Sequence, residues 1–522
     1  MTGRHEASAA TRTGATDRYV TSAERGYSRW LSLLVLCTGF LLIVVDGTVV
    51  NVALPSIQRD LGFSQAGLAW VVNAYLIAYG GLLLLAGRLG DLVGRKRVFL
   101  VGVGMFTAAS ALCGLSFSAP VLIAARFVQG IGGAVGSAVI LGMVVTMFQE
   151  PGERARAMGI FAFVASAGGA IGLLAGGVIT EAVSWHWIFF VNVPLGLATI
   201  VLGLRLIEPD EGLGLRDGAD VIGALLVTAA LMLGVYTIVE SDVYGLGSSR
   251  TIGFGVVAIV LLAAFVYRQA VAASPLMPLR LFASRNFSGA NVIQALMVAA
   301  FFGFFFLGSL YMQRVLQYGP LQIGLAFLPD TVAMAALSIG LSARVITRFG
   351  ARRVLLAGLS GIALGMLLFA RSPLNADYVA DLLLPMVLLG VGAGLAFTSL
   401  SMLAMADATP GDSGLASGLL NTTTQVGASL GLAILATISS EHTRQLVSQG
   451  QSTTDALSEA YHLTWAISAG LVLVCLGLAA TVLKEAEAAL GPTTPTETET
   501  ETETEDVAEV RVSAAYYGDT AG

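Results

Sequence analysis

The stretch GRLGDLVGRKRVFL at residues 87–100 aligns without gaps to ARVITRFGARRVLL at residues 343–356. Each copy stands between the second and third apolar segments of a set of six, so the chain contains two related halves. Parallel six-span halves are typical of one membrane-protein architecture, in which the binding site lies between the halves near the middle of the bilayer. The repeat therefore predicts an all-α membrane protein built from two six-helix bundles.

Composition places most of this chain in lipid. Of its 522 residues, 56% are hydrophobic and only 12% are charged, whereas soluble domains carry about 25% charged residues. Apolar runs of the roughly 20 residues that a helix needs to cross the hydrocarbon core recur along the chain. We predict fourteen spans, near residues 31–54, 68–86, 98–117, 120–142, 157–179, 185–205, 221–240, 251–268, 288–310, 322–343, 353–370, 380–402, 418–438 and 461–482.

The basic residues predict the orientation of these spans. Cytoplasmic loops hold most Lys and Arg residues, and fourteen spans with both termini inside place most of the 28 basic residues there. We therefore expect a multi-pass protein of the bacterial inner membrane with cytoplasmic termini. The predicted segments are a cytoplasmic tail at 1–29, a first bundle at 30–205, two inserted helices at 206–270, a second bundle at 271–483 and a disordered acidic cytoplasmic tail at 484–522.

Two charged side chains inside the spans are predicted to meet. Each ionisable group at the centre of a span costs about 2.5–3.5 kcal/mol on insertion scales, so it is a functional candidate. At about 1.5 Å per residue, Asp46 lies about 24 Å into span 1 and Arg126 about 9 Å into span 4 from the opposite side. In a core roughly 30 Å thick these depths are similar. We expect an ion pair that is either a proton-sensitive latch or a static packing contact.

A third charged group, Asp330 in span 10, lies near mid-bilayer and directly follows Pro329, which is expected to loosen the helix. No cation is predicted at its depth, so we expect it to bind a proton or a cationic substrate, with a neutral hydrogen-bonded carboxyl as the alternative. Polar amides in or near the spans should mostly hydrogen-bond between helices, while some line the cavity. These amides are Asn51, Gln129, Asn192, Asn291, Gln294, Asn421 and Gln425. Our candidates for substrate binding are Asp330, Asn51, Gln129, Gln294 and Gln425.

Motifs of enzymes are missing from the sequence. It contains no P-loop GxxxxGK[ST], no HExxH and no CxxC, and its three cysteines fall in different apolar runs. We expect no enzymatic activity, no cofactor, no bound metal and no nucleic-acid partner. The energy source should be an ion gradient rather than ATP.

The segment GRLGDLVGRKRV at 87–98 resembles the signature loop between spans 2 and 3 of the major facilitator superfamily. Four other stretches are similar to its fourteen-span drug:proton antiporter branch: VVDGTVVNVALP at 44–55, RFVQGIGGA at 126–134, WHWIFFVNVPLG at 185–196 and GLASGLLNTTTQVGASLG at 414–431. The resemblance implies the major facilitator fold with 14 transmembrane helices arranged 6+2+6. It also implies proton coupling at Asp46 and Arg126.

The same resemblance implies that the signature loop is a conformational latch, with charges that hold the halves in the outward-open state and glycines that permit a tight turn and close helix contact. The latch residues are Gly87, Gly90, Asp91, Gly94, Arg95 and Lys96. This chain departs from the family at Leu173, where a proline usually kinks span 5. Span 5 should therefore be more regular, and the direction of transport stays open.

The function implied is proton-coupled export of a lipophilic drug or antibiotic, with a cationic compound as one candidate. The two bundles would rock around the site, and proton uptake at Asp46 or Asp330 would drive release. A proton symporter that imports a small nutrient and a non-transporting membrane sensor are the alternatives. The expected partners are a drug-like small molecule, protons and the lipid bilayer, and the protein is expected to be a monomer.

Overall fold

The computed structural model describes residues 26–484 except 211, 213, 215–218, 246, 273–274, 338–340 and 407–412. The regular secondary structure of these residues is helical throughout. Both predicted tails lie mainly outside the described residues, the first up to residue 25 and the second from residue 485. The predictions made for these tails therefore stay predictions.

Long helices make up each half of the chain. Those of the first half are α1 (Gly26–Leu61), α2 (Gln65–Val93), α3 (Arg95–Gly114), α4 (Ala119–Ser137), α5 (Ile140–Met147), α6 (Pro151–Ala182), α7 (Trp187–Phe190) and α8 (Asn192–Leu206). Two helices follow, α9 (Val221–Tyr244) and α10 (Ser249–Val271). The second half contains a 3₁₀ helix (Leu279–Ala283), α11 (Arg285–Arg314), α12 (Pro320–Ala336), α13 (Ser342–Phe349), α14 (Ala351–Phe369), a π-helical turn (Tyr378–Leu382), α15 (Leu383–Met405), α16 (Ser413–Ser448) and α17 (Thr453–Thr481).

Twelve helical segments among the described residues are long and apolar enough to cross a membrane. Two shorter apolar stretches, Ala167–Ala182 and Pro320–Ala336, lie at the positions predicted for spans 5 and 10. The first of them is the end of α6, which continues without a break through Leu173. The absence of the usual proline therefore leaves this helix regular, as predicted.

The repeated sequence forms two helices joined by a single glycine rather than a loop. Gly94 has a φ of 106° and separates α2 from α3, and Gly350 has a φ of 85° and separates α13 from α14. Positive φ angles strain any residue with a Cβ, so glycine is required at both turns. The helix that contains the predicted span 68–86 continues through the polar residues up to Val93.

Glycine also allows α3 and α4 to pack closely. A Cβ added at Gly102 would lie 2.1 Å from the backbone nitrogen of Gly136. A Cβ added at Gly132 would lie 2.4 Å from the backbone nitrogen of Phe106. Small residues are enriched where membrane helices approach in this way, because larger side chains would hold the two backbones apart.

Replacement of Gly102 by alanine is expected to lower the melting temperature of the purified protein by several degrees. The obstructing atoms belong to the backbone of α4, so the added methyl group can be accommodated only if the two helices separate. Gly104→Ala on the same helix is the control, since its nearest neighbouring atom lies 4.0 Å from an added Cβ. Thermal unfolding in detergent measures the melting temperatures of the two variants. Equal values would contradict the close packing of α3 against α4 at Gly102.

The two halves meet mainly through two helix pairs, α2 with α16 and α6 with α12, and α1 adds smaller contacts with α11 and α12. Between α2 and α16, a Cβ at Gly80 would lie 2.7 Å from Cβ of Gln425. Between α6 and α12, a Cβ at Gly324 would lie 2.6 Å from the carbonyl oxygen of Leu173. Both pairs are therefore in near-backbone contact.

Hydrogen bonds also join the halves at one end of the bundles. Arg314 at the end of α11 donates to the side chain of Gln58 on α1, and the N–H of Leu321 donates to Glu181 at 3.0 Å. We call this end the Arg314 end, and the opposite end, where α2 turns into α3, the Asp91 end. The halves are thus held together at the Arg314 end.

The inserted helix α9 contacts both halves. A Cβ at Gly81 on α2 would lie 2.4 Å from Oγ1 of Thr228 on α9. On the other side, Oγ1 of Thr437 on α16 donates to the carbonyl oxygen of Ile238 on α9 at 3.4 Å. The second inserted helix, α10, packs on α9 and is mostly exposed on its remaining surface.

Asp220 holds the two inserted helices together at the Asp91 end. Its carboxylate accepts from the N–H of Gly223 at 2.9 Å, from Arg268 of α10 at 2.9 Å and from Gln269 of α10 at 2.8 Å. Burial alone would raise the pKa of Asp220, but these hydrogen bonds to the charged form outweigh it and lower the pKa. The carboxylate is therefore ionised at neutral pH and links α9 to α10.

Candidate functional site

A buried ion pair lies inside the first half and joins α1 to α4. Nη1 of Arg126 is 2.5 Å from Oδ2 of Asp46, and the side chains are 1% and 0% exposed respectively. The ion pair predicted from the depths of these residues is therefore present. Removing one partner of such a pair leaves an uncompensated buried charge, so each residue depends on the other.

Neighbouring polar side chains complete the hydrogen bonding of this pair. The Gln129 amide donates to Oδ1 of Asp46 at 2.7 Å and to Ser110 at 2.6 Å, and its oxygen accepts from Arg126 at 2.6 Å. Asn192 of α8 donates to the same carboxylate oxygen at 3.2 Å. Hydrogen bonds to a charged acceptor are stronger than neutral ones. The carboxylate of Asp46 thus accepts hydrogen bonds from Arg126, Gln129 and Asn192, which lie on two other helices.

Helix α2 positions the guanidinium group of Arg126. Nε of Arg126 donates to the carbonyl oxygen of Val71 at 3.0 Å. The guanidinium carbon lies 4.4 Å from the ring centroid of Tyr75 and 5.7 Å from that of Phe189, which adds cation–π attraction. A Cβ at Gly130 would lie 2.4 Å from the carbonyl oxygen of Tyr75. Gly130, the first glycine of RFVQGIGGA, therefore lets α4 approach α2 closely enough for these contacts.

Sequence reasoning missed part of this network. The expectation that Asn192 hydrogen-bonds between helices is confirmed, since it joins α8 to α1, but the sequence does not predict Asp46 as its acceptor. Ser110 and Tyr75 carried no sequence signal at all. Gln129 was assigned to substrate binding, and the structure places its amide between Asp46 and Arg126. Its role in binding substrate stays a prediction.

Asp330 is buried in the second half and, within the described part of the chain, has no hydrogen-bond partner. Its side chain is 1% exposed, and neither carboxyl oxygen is bonded. Its backbone lies against α15, since a Cβ at Gly390 would be 2.1 Å from the Asp330 carbonyl oxygen. Pro329 precedes it inside α12. An isolated ionised carboxylate is costly in such a place, so this group needs a proton or a cation as its partner.

The other predicted substrate-binding amides make separate contacts. Asn51 donates to the carbonyl oxygen of Gly47 in its own helix at 3.3 Å. Gln294 donates to Oγ1 of Thr424 at 2.9 Å, which joins α11 to α16. Neither hydrogen bond connects these amides with Asp330, so a shared substrate site is still a prediction.

The charged residues of the signature loop pair with the first half. Arg95 donates to Oδ1 of Asp91 at 3.0 Å and to the carbonyl oxygen of Gly142 at 3.2 Å. Nζ of Lys96 donates to the carbonyl oxygens of Leu204 at 3.0 Å and Ile207 at 2.5 Å. These hydrogen bonds of Arg95 and Lys96 lie within the first half and the chain that follows α8. A latch that holds the two halves together stays a prediction.

The three latch glycines differ in their surroundings. Gly94 forms the turn, and a Cβ at Gly90 would lie 2.2 Å from Cγ1 of Val139. A Cβ at Gly87 would meet no atom of the described residues within 4 Å. Among the described residues, the close helix contact expected at Gly87 is therefore not found.

The described residues thus form two helical bundles, with a buried ion pair in one and, among these residues, a carboxyl without a hydrogen-bond partner in the other. A family model described as Major Facilitator Superfamily matches residues 36–432 and again residues 295–515. The chain belongs to this superfamily, and it is a multi-pass membrane transporter of small molecules rather than an enzyme. The resemblance drawn from its motifs is confirmed.

Relatives with assigned names share most of this chain. It is 36% identical over 457 residues to the puromycin resistance protein pur8 of Streptomyces alboniger, covering 86% of this chain and 90% of that protein. It is 38% identical over 438 residues to the cephamycin export protein CmcT of Amycolatopsis lactamdurans, covering 83% and 88%. Among solved structures, a bacterial homologue of the human lysosomal transporter Spinster has a TM-score of 0.62 at 16% identity, covering 87% and 96%. That likeness supports the fold.

Proposed function

We propose that this protein exports a lipophilic drug or antibiotic in exchange for protons by alternating access. The observation that carries the proposal is the buried network of Asp46, Arg126, Gln129 and Asn192. A titratable carboxylate that is buried in an ion pair is suited to proton coupling, because a proton removes the attraction to its partner. The names of the relatives, which include an antibiotic resistance protein and an antibiotic export protein, support export over import.

Protonation of Asp46 would change how three helices are held. The carboxylate on α1 attracts Arg126 of α4 and accepts from Asn192 of α8. A proton removes the negative charge and so weakens both contacts, while Arg126 keeps its hydrogen bond to the backbone of Val71. Proton uptake therefore loosens α1 from α4 and α8 inside the first half. The rocking motion of the two halves would then depend on the proton gradient.

We also propose that fourteen spans are present in the 6+2+6 arrangement. The segments are a first bundle at 30–205, two inserted helices at 206–270 and a second bundle at 271–483, in a monomer with both termini in the cytoplasm. The concentration of basic residues at the Asp91 end supports a cytoplasmic location for that end in the bacterial inner membrane. The Arg314 end then faces outward, and its hydrogen bonds close the protein on that side.

The test of the proposal is efflux of a fluorescent lipophilic cation from energised cells that express the protein. We expect faster efflux than in cells with empty vector, and we expect a protonophore to remove the difference. Accumulation of the compound would instead favour an importer. Absence of movement with several cations and neutral lipophilic compounds, repeated with purified protein in liposomes, would favour a non-transporting sensor.

Gln129→Leu is expected to slow efflux about tenfold, since a hydrogen bond to a charged group contributes about 1.5–3 kcal/mol and the leucine cannot bridge Asp46 and Arg126. The measurement is the initial efflux rate per amount of protein in the membrane. Gln445→Leu is the matched control, because that amide is exposed and bonds only to the surface residue Glu441. Equal rates in the two variants would contradict a role for Gln129 in coupling.

A further inference from the structure

The chain that leaves the first half folds back onto the turn between α2 and α3. Oδ2 of Asp210 accepts the backbone N–H of Arg95 at 2.6 Å, and Oδ1 accepts that of Lys96 at 3.0 Å. The N–H of Gly214 donates to the carbonyl oxygen of Leu92 at 3.0 Å. The Asp210 carboxylate thus caps the first turn of α3, where free N–H groups and the helix dipole favour a negative charge.

Glycines on both sides make this contact close. A Cβ at Gly94 would lie 2.9 Å from the carbonyl oxygen of Asp210. A Cβ at Gly212 would lie 2.2 Å from the carbonyl oxygen of Leu92. Glycine is therefore required at position 94 for two reasons: its φ angle is positive, and the chain around Asp210 lies too close for a side chain.

The side chain of Lys96 makes a contact that has a counterpart in the second half. In the first half Lys96 binds the carbonyl oxygens of Leu204 and Ile207 at the end of α8. In the second half Arg352, at the same position of the repeat, binds those of Ala479 and Ala480 at the end of α17.

We propose that Asp210 is a positioning residue for transport, which fixes the signature loop to the chain leading into α9. The backbone of Arg95 is held by Asp210 while its guanidinium group pairs with Asp91. A shift of this chain would therefore move the charge pair of the loop. Asp210 thereby joins the turn between α2 and α3 to the chain that follows α8. This inference rests on the proposed function only where it concerns transport.

The first test is hydrogen exchange of the full-length protein in lipid nanodiscs, followed in peptides that contain the amides of Arg95 and Lys96. Asp210→Ala is expected to speed their exchange at least several-fold, with a smaller effect for Asp210→Asn, which keeps one acceptor oxygen. Glu150→Ala removes the same charge at the same end, where the exposed side chain makes no capping bond, and should leave exchange unchanged. Unchanged exchange in both Asp210 variants would overturn the cap.

The second test is efflux by the same variants, measured against substrate concentration. Asp210→Ala and Asp210→Asn are expected to lower the maximal rate several-fold while KM stays at the wild-type value, and Glu150→Ala should behave as wild type. Faster exchange with an unchanged maximal rate would overturn the positioning role. Absence of efflux by the wild type would count against the proposed function and leave the exchange result standing.

Discussion

Replacement of Asp46 by asparagine is expected to abolish protonophore-sensitive efflux. Asparagine cannot take up or release a proton at physiological pH. It also leaves the charge of Arg126 without a counter-ion, in a site where both side chains are 1% exposed or less. Breaking a buried ion pair from one side costs about 3–5 kcal/mol, so part of the loss should come from displacement of Arg126. The measurement is the initial efflux rate with and without protonophore, normalised to the amount of protein in the membrane.

Two further variants separate coupling from folding. Asp46→Glu keeps a group that binds protons, so we expect it to retain some protonophore-sensitive efflux. Asp60→Asn makes the same chemical change at an exposed carboxylate of α1, which accepts from Nε1 of Trp185 at 2.9 Å, and should keep the wild-type rate. If Asp46→Asn exports as the wild type does, Asp46 is not the coupling carboxylate.

The Asp46–Arg126 pair could be predicted because the two residues lie at similar depths. The rise of a helix fixes how far each residue lies from the membrane surface, and few charges occur in the spans to choose from. The contact of Asn192 with Asp46 could not be found in this way. It depends on the rotation of α8 about its axis and on the break between α7 and α8 at Val191, which no periodic pattern encodes.

The repeat predicted two related halves, but not how their turns are held. The sequence identified Gly94 as a turn residue, and the matching φ angles of Gly94 and Gly350 extend the repeat to the backbone. The cap of α3 by Asp210 is invisible in the sequence, because the two segments are 114 or more positions apart. The chain around Asp210 has no helical or strand pattern that would bring it to the turn. Such contacts follow from the path of a connecting segment, which only the folded structure shows.

Asp330→Asn is expected to remove export of cationic compounds and to leave export of neutral lipophilic compounds in place. The change is nearly isosteric. Since neither carboxyl oxygen has a hydrogen-bond partner among the described residues, the substitution breaks no hydrogen bond there. It removes the charge that a buried cation would need as its partner. The measurement is efflux of one fluorescent cation and one neutral dye from the same cells, with Asp60→Asn as the control.

The same carboxylate should reduce the stability of the protein. A buried polar group without a partner costs about 1–3 kcal/mol, so Asp330→Leu is expected to raise the melting temperature in detergent while cation export is lost. Groups that are kept in spite of such a cost are usually needed for function. Equal loss of cation and neutral export would instead assign Asp330 to proton transfer. A lower melting temperature in both Asp330→Leu and the nearly isosteric Asp330→Asn would show that the carboxyl has a structural partner, since overpacking can explain a loss of stability only in the leucine variant.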